Sequence, residues 1–161
     1  VHYNMEHLDA PPAPDRSGVA FQVSTEATGW ADVQPWTEVA WVAGFGMDIP
    51  ANTDGVEHEF SYVLGENDDF RFHTALIHMH QLGRTAKMWV EHADGRETCL
   101  LDYTEYDFNW QRDYRLTDPV RIAPGDTVKL RCRWDNPTDQ DVAWGDGTGD
   151  EMCLGITLIT E

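Results

Sequence analysis

Positive charge is scarce in this chain. It carries 11 Lys+Arg against 29 Asp+Glu, a formal net charge of −18 over 161 residues. Such a surface repels phosphate backbones, so nucleic acid is excluded as a partner, and anionic membrane surfaces are disfavoured. Long apolar runs are missing too. No stretch approaches the ~18 apolar residues a membrane-crossing helix needs, so no membrane partner is expected. Cysteine is sparse. Cys99, Cys132 and Cys153 form no C-x-x-C pair, which rules out zinc ribbons and thioredoxin-type redox motifs. The odd count reads most economically as one disulfide plus one leftover thiol. That implies an oxidising compartment, hence a secreted, periplasmic or extracellular protein. Sustained 3.6-residue periodicity is absent, which argues against a helical fold. There is also no initiator Met and no charged-then-apolar leader. The chain opens at Val1-His2-Tyr3 and is expected to be a piece of something longer. Residues 1–17, with Pro11, Pro12 and Pro14, read as an irregular lead-in from a missing N-terminal domain.

What is present is strand chemistry. The 41% hydrophobic and 11% aromatic content suffices for a packed core, so the chain is globular and of one-domain length. Alternating runs rich in Val, Ile, Thr and aromatics lie near 18–25, 37–43, 56–64, 70–80, 85–92, 98–103, 126–134 and 152–160. Turn compositions such as GENDD, ADGRE, APGD, DNPTD and GDGTGDE separate them. About eight strands with irregular connections predict an all-β fold over 1–161, an antiparallel jelly-roll sandwich. The clearest strand is Asp126–Trp134. Val128, Leu130, Cys132 and Trp134 share its core face, while Lys129, Arg131 and Arg133 share its outer face.

Within ALIHMHQLG (75–83), His78 and His80 stand two residues apart in an apolar run. In a strand they project to one side, about 7 Å apart along the chain. Two imidazole nitrogens at that spacing can converge on one ion with bonds of about 2 Å. Phe70, Phe72 and Leu76 have the same parity, which predicts apolar surroundings. An unpaired buried imidazole costs a few kcal/mol, and a metal would relieve both rings at once. The plainer alternative is a pair of histidines satisfied by hydrogen bonds. Met79 points the other way, into packing. His73 has the opposite parity and should face away. His58 and His92 carry no motif and read as satisfied or exposed. Further on, a Gly- and Asp-rich loop delivers Met152 and Cys153 to the start of an apolar strand. Core packing is the ordinary fate of such a Met.

Taken together these segments resemble one family. HMHQLG, with His78 and His80, and GDEMC, with Met152 and Cys153, are similar to the catalytic-copper half of the copper type II, ascorbate-dependent monooxygenases, which include peptidylglycine alpha-hydroxylating monooxygenase and dopamine beta-monooxygenase. Val1-His2-Tyr3, Asp15–Val19 and Pro124–Cys132 resemble further stretches of that family in the same order. The resemblance implies a jelly-roll domain holding copper through His78, His80 and Met152, with Cys132 and Cys153 bridged and Cys99 left as a free core thiol. Imidazole accepts Cu(I) and Cu(II), and a thioether favours Cu(I). The implied activity is O2-dependent hydroxylation of a C–H bond, with ascorbate as external reductant and electrons relayed by a second copper in a preceding domain.

Two departures qualify that implication. No two histidines are adjacent in this chain, so the family's paired-histidine site for the second copper is missing, and only His2 stands as its remnant. By itself the chain is therefore expected to turn over poorly, or to serve as a non-catalytic copper-binding module. The family positions that grip a peptide carboxylate hold Leu76, Leu154 and Ile156 here. A small or apolar substrate is expected instead. A sugar- or protein-binding sandwich with incidental histidines is a further alternative. Trp41 and Trp134, however, alternate with apolar neighbours as core residues do.

Overall fold

The computed structural model describes residues 16–26 and 29–161. The backbone divides into two compact units, Val1–Trp30 and Ala31–Glu161. In the first unit, the described residues form no strand, and Val19, Phe21, Val23 and Trp30 are exposed. The strand expected over 18–25 is therefore not formed. Its alternation is real, but among the described residues it pairs with no other segment. The expectation for His2 lies outside the described residues.

The second unit is the sandwich. Eight strands, β1 (Asp32–Trp36), β2 (Thr53–Val63), β3 (Phe70–His78), β4 (Gly83–Glu91), β5 (Glu97–Tyr103), β6 (Tyr114–Ile122), β7 (Thr127–Asn136) and β8 (Leu154–Thr160), form two sheets. Their orders are β1-β8-β3-β6 and β2-β7-β4-β5, every pairing antiparallel. This is a jelly-roll order, and the two antiparallel sheets make the all-β sandwich that the alternating runs predicted. Val128, Leu130, Cys132 and Trp134 of β7 are all fully buried, as the parity of that strand requires. They meet Phe72, Ile77, Met79 and Ile122 from the facing sheet in one core.

The strand count is right, but two of its members differ. The strand expected over 37–43 is a single helical turn, α1 (Val39–Val42). The Glu38 carboxylate caps its start by accepting from the Ala40 N–H. Gly44, at φ 84°, ends it. The Gly44 N–H donates to Trp41 C=O and the Phe45 N–H to Ala40 C=O, the bonding of a Schellman stop. Trp41 is buried and Val39 and Val42 are exposed, so the alternation there was one residue of core between two of surface. Conversely, β1 and β6 were not expected. Each contains a proline, Pro35 and Pro119, which argues against a strand in general. Both are edge strands of their sheet, where a missing N–H can face away from the ladder, and Pro119 lies in the stretch where the β3–β6 register is interrupted.

β3 is irregular, and that irregularity places the site. Its register to both neighbours shifts just after Phe72. Before the shift the core residue is Phe72, an even position; after it the core residues are Ala75, Ile77 and Met79, all odd. The bulge turns the second half of the strand over. His78 therefore does not share a face with Phe70 and Phe72, which pack on Trp36 instead. It lies on the outer face of the β1-β8-β3-β6 sheet. The simple parity count that set His73 against His78 also fails across the bulge. His73 is half-buried and bonded to the Thr160 hydroxyl, at the far end of β8 from the residue that pairs with His78.

The two outer faces differ in chemistry. On the β2-β7-β4-β5 sheet, Arg131 bridges Glu57 and Glu59, and Lys129 bridges Glu59 and Glu91. Lys87, Lys129 and Arg131 lie over the ring of Trp89. On the other sheet, directly opposed residues are apolar: Val33 with Leu158, Pro35 with Ile156, and Ile156 with Leu76. Opposed residues in an antiparallel pair share a face, so these side chains form one strip.

Candidate metal centre

The segment from His78 to Gly83 leaves the β3 ladder and turns into β4, so its backbone groups need other partners. Tyr106 and Glu151 supply most of them. The Tyr106 hydroxyl accepts from the Met79 N–H at 2.9 Å and donates to the Met79 C=O at 2.6 Å. The Glu151 carboxylate accepts from the His80 N–H at 2.9 Å and the Leu82 N–H at 2.6 Å. The Leu82 C=O takes the Asp135 N–H. Gly83 closes the motif for a steric reason. A Cβ there would lie 2.8 Å from Met79 Cε and 3.0 Å from Tyr106 Cδ1.

Each imidazole is oriented by a hydrogen bond through Nδ1. That of His80 lies 2.9 Å from the Asp150 C=O. A carbonyl only accepts, so this nitrogen carries the proton. That of His78 meets Oε1 of Gln111, and Gln111 donates its own amide N–H to the Phe108 C=O. The second bond fixes which end of the amide faces the ring, so His78 Nδ1 also donates. In both rings the lone pair is then on Nε2. A carbonyl-type acceptor on one ring nitrogen and a free lone pair on the other is the arrangement that metal-ligating histidines use. The ring centroids are 5.0 Å apart with planes at 79°. Two imidazoles bonded at about 2 Å to one ion, at roughly tetrahedral angles, would have centroids about 5 Å apart. Burial lowers the pKa of His78, with His80 adding to the effect, which favours the neutral form that can ligate.

Met152 is half-buried between two residues tied to these histidines. Glu151, before it, holds the His80 backbone; Leu154, two residues after it, is the β8 partner of His78. Cys153 is fully buried and bonded to Cys132. The Cys132–Cys153 disulfide is therefore as the resemblance implied. Cys99 is free but exposed, not a core thiol; it sits on the outer face of β5 as the partner of Trp89. His58 and His92 are satisfied, the first by the Asp48 C=O and the second by Asp126 and Thr98. Among the described residues no three His, Cys, Asp or Glu side chains cluster as a metal cage, so a third protein ligand would have to be another residue type.

Leu76 and Ile156 oppose each other on the same outer face as the opposed His78 and Leu154. The floor beside the imidazoles is therefore aliphatic. Phe108 walls the other side, its ring 6.0 Å from His80. Tyr106, Phe108 and Gln111 come from the 104–113 loop, which carries no motif and was not singled out from sequence. Glu151 stood next to the motif residue Met152, yet nothing in the spacing told a buried acceptor from a loop acid.

Residues 49–157 match the model of the copper type II ascorbate-dependent monooxygenase C-terminal domain. Over 85 residues the chain is 34% identical to human DBH-like monooxygenase protein 1, covering 52% of this chain and 14% of that protein. It is 28% identical to human putative DBH-like monooxygenase protein 2 over 170 residues, 96% of this chain and 32% of that protein. It is 35% identical to tyramine beta-hydroxylase of Caenorhabditis briggsae over 81 residues, 48% of this chain and 14% of that protein. The chain thus spans a third or less of the length of these relatives. With the family model covering more than half of its residues, the chain belongs to the copper type II ascorbate-dependent monooxygenase family and corresponds to its C-terminal domain.

Proposed function

We propose that this chain is the catalytic-copper domain of a monooxygenase, with copper held by His78 and His80 through Nε2 and by Met152 through its thioether. The observation that carries the reading is the pair of Nδ1–H bonds, to Gln111 and to the Asp150 C=O, which leave both Nε2 lone pairs available. Bound copper would supply the one-electron redox chemistry that activates O2 toward a C–H bond. Gln111 and Asp150 orient the rings. Phe108 and the aliphatic floor limit water at the site. Leu76, Leu154 and Ile156 offer no hydrogen bond or counter-charge to a carboxylate, which supports a small or apolar substrate. Ascorbate is the proposed external reductant, and a copper domain preceding this one in the parent protein is the proposed electron partner. The disulfide, together with the absence of any long apolar helix among the described residues, fits secretion.

Copper titration with X-ray absorption of the Cu(I) form tests the site. One copper per chain with a sulfur scatterer is expected. His78→Ala should abolish binding, and Met152→Ala should remove the sulfur signal. Full copper binding in both variants would reject the reading. A non-catalytic copper-binding module is the second reading, favoured by the lack of any adjacent histidine pair in the sequence. Ascorbate-driven O2 uptake coupled to hydroxylated product in the parent protein separates the two.

A further inference from the structure

Glu151 has no exposed surface and no cationic partner among its hydrogen bonds. A buried carboxylate without a counter-ion is costly and persists only where its bonds are needed. Its three bonds are all to N–H donors. His80 N–H and Trp134 Nε1–H donate to Oε2, at 2.9 and 2.8 Å, and Leu82 N–H donates to Oε1 at 2.6 Å. No neutral side chain of the same size accepts all three. A glutamine would turn its amide NH2 toward at least one of these donors.

The three donors come from two places. Two belong to the turn that carries His80, and the third belongs to β7 in the other sheet. The same strand holds Cys132, which is bonded to Cys153. Residue 152 is thus flanked by two tethers to β7: Glu151 to Trp134 before it and Cys153 to Cys132 after it. Cys132 and Trp134 are alternate residues on the inward face of β7, and both are fully buried. The β3–β8 register that pairs Leu76 with Ile156 and His78 with Leu154 brings His80 opposite residue 152 when continued two steps. At that point β3 and the approach to β8 are no longer held by ladder bonds. The Glu151 side chain and the bond that His80 Nδ1–H donates to the Asp150 C=O hold them together instead.

We infer that Glu151 is the positioning residue of the copper site: it fixes the spacing between the histidine segment and Met152 by bonding the former and bracing the latter against β7. The inference rests on the proposed copper ligation. A purely structural acid in the core would matter for stability alone. A positioning acid matters for which atoms reach the ion.

The test uses Glu151→Gln, with Asp126→Asn as a destabilised control far from the site. Both are loaded with Cu(I) and examined by X-ray absorption and by competition with a Cu(I)-specific chromophoric chelator. Glu151→Gln is expected to lose the sulfur scatterer, keep its nitrogen scatterers and bind Cu(I) about 10- to 100-fold more weakly, the range of a lost outer-shell partner. Asp126→Asn is expected to keep sulfur and affinity at whatever melting temperature it shows. Should Glu151→Gln fail to fold, Glu151→Asp keeps the carboxyl group and shortens the reach by one methylene, with the same loss of sulfur expected. Affinity within twofold of the parent and an intact sulfur shell in the folded variant would overturn the inference. Absence of sulfur in the unmodified protein would instead overturn the proposed ligation.

Discussion

The Tyr106 hydroxyl satisfies both backbone groups of Met79, the residue between the two site histidines. The two residues are 27 positions apart and both are buried. Tyr106→Phe would leave a buried N–H and a buried C=O without partners. The expected cost is about 2 kcal/mol or more, read as a lower denaturant midpoint. Because Met79 joins His78 to His80, copper affinity should fall with it.

Gln111→Ala should act on His78 alone. The ring loses the acceptor that holds its proton on Nδ1, and copper affinity is expected to fall about 10- to 100-fold. Nitrogen-15 NMR of the copper-free protein should show the Nδ1–H tautomer of His78 depleted and that of His80 unchanged. Gln111→Glu, which keeps an acceptor, should restore the tautomer.

The three cysteines should separate by chemistry. Under native conditions without reductant, one thiol per chain is expected to react with a thiol-specific reagent, since only Cys99 is free and exposed. Its reaction should be slow at neutral pH, because partial burial, and then the Asp102 carboxylate, raise its pKa. Replacing Cys132 and Cys153 together by alanine opens a loop spanning 21 positions. The expected loss is about 3 kcal/mol, measured by chemical denaturation.

Asp126 links acidity to stability. Burial pushes its pKa up, but the Ala93 N–H, the His92 ring and the Ala123 N–H outweigh this, and the net shift is downward. A depressed carboxylate stabilises the fold above its unfolded pKa of about 3.9, and that contribution is lost as pH falls through the lower folded value. Asp126→Asn should therefore be less stable than the parent by about 1–3 kcal/mol at pH 7. The gap should narrow below about pH 4.

How much of this was legible in the residues varies by element. β7 was, because Val128, Leu130, Cys132 and Trp134 alternate without interruption and the strand lies inside its sheet. β1 and β6 were not, because Pro35 and Pro119 break the pattern that central strands obey and edge strands need not. The histidine pair was visible because two residues at one spacing carry the signal. Gln111 and Tyr106 were not, since each reaches the site from a loop whose own sequence contains no periodicity. Glu151 was in plain view beside Met152, but its role depends on Trp134 and Leu82, which only folding brings to it.

The bulge after Phe72 gives β3 two careers: its first half feeds aromatics to the interior, and its second half ends by presenting His78 on the outer face, with the buried His80 following in the turn. Deleting the one extra residue at the bulge would restore unbroken alternation and leave Phe72, Ala75 and Ile77 inward and His78 outward, as they are now. A deletion between Ala75 and His78, away from the bulge, would instead shift the parity and drive either His78 into the core or Ala75 toward solvent. The proposed copper address thus depends on chain length between the bulge and His78 as well as on which side chains are encoded, and one-residue indels in that stretch should be tolerated far less than substitutions.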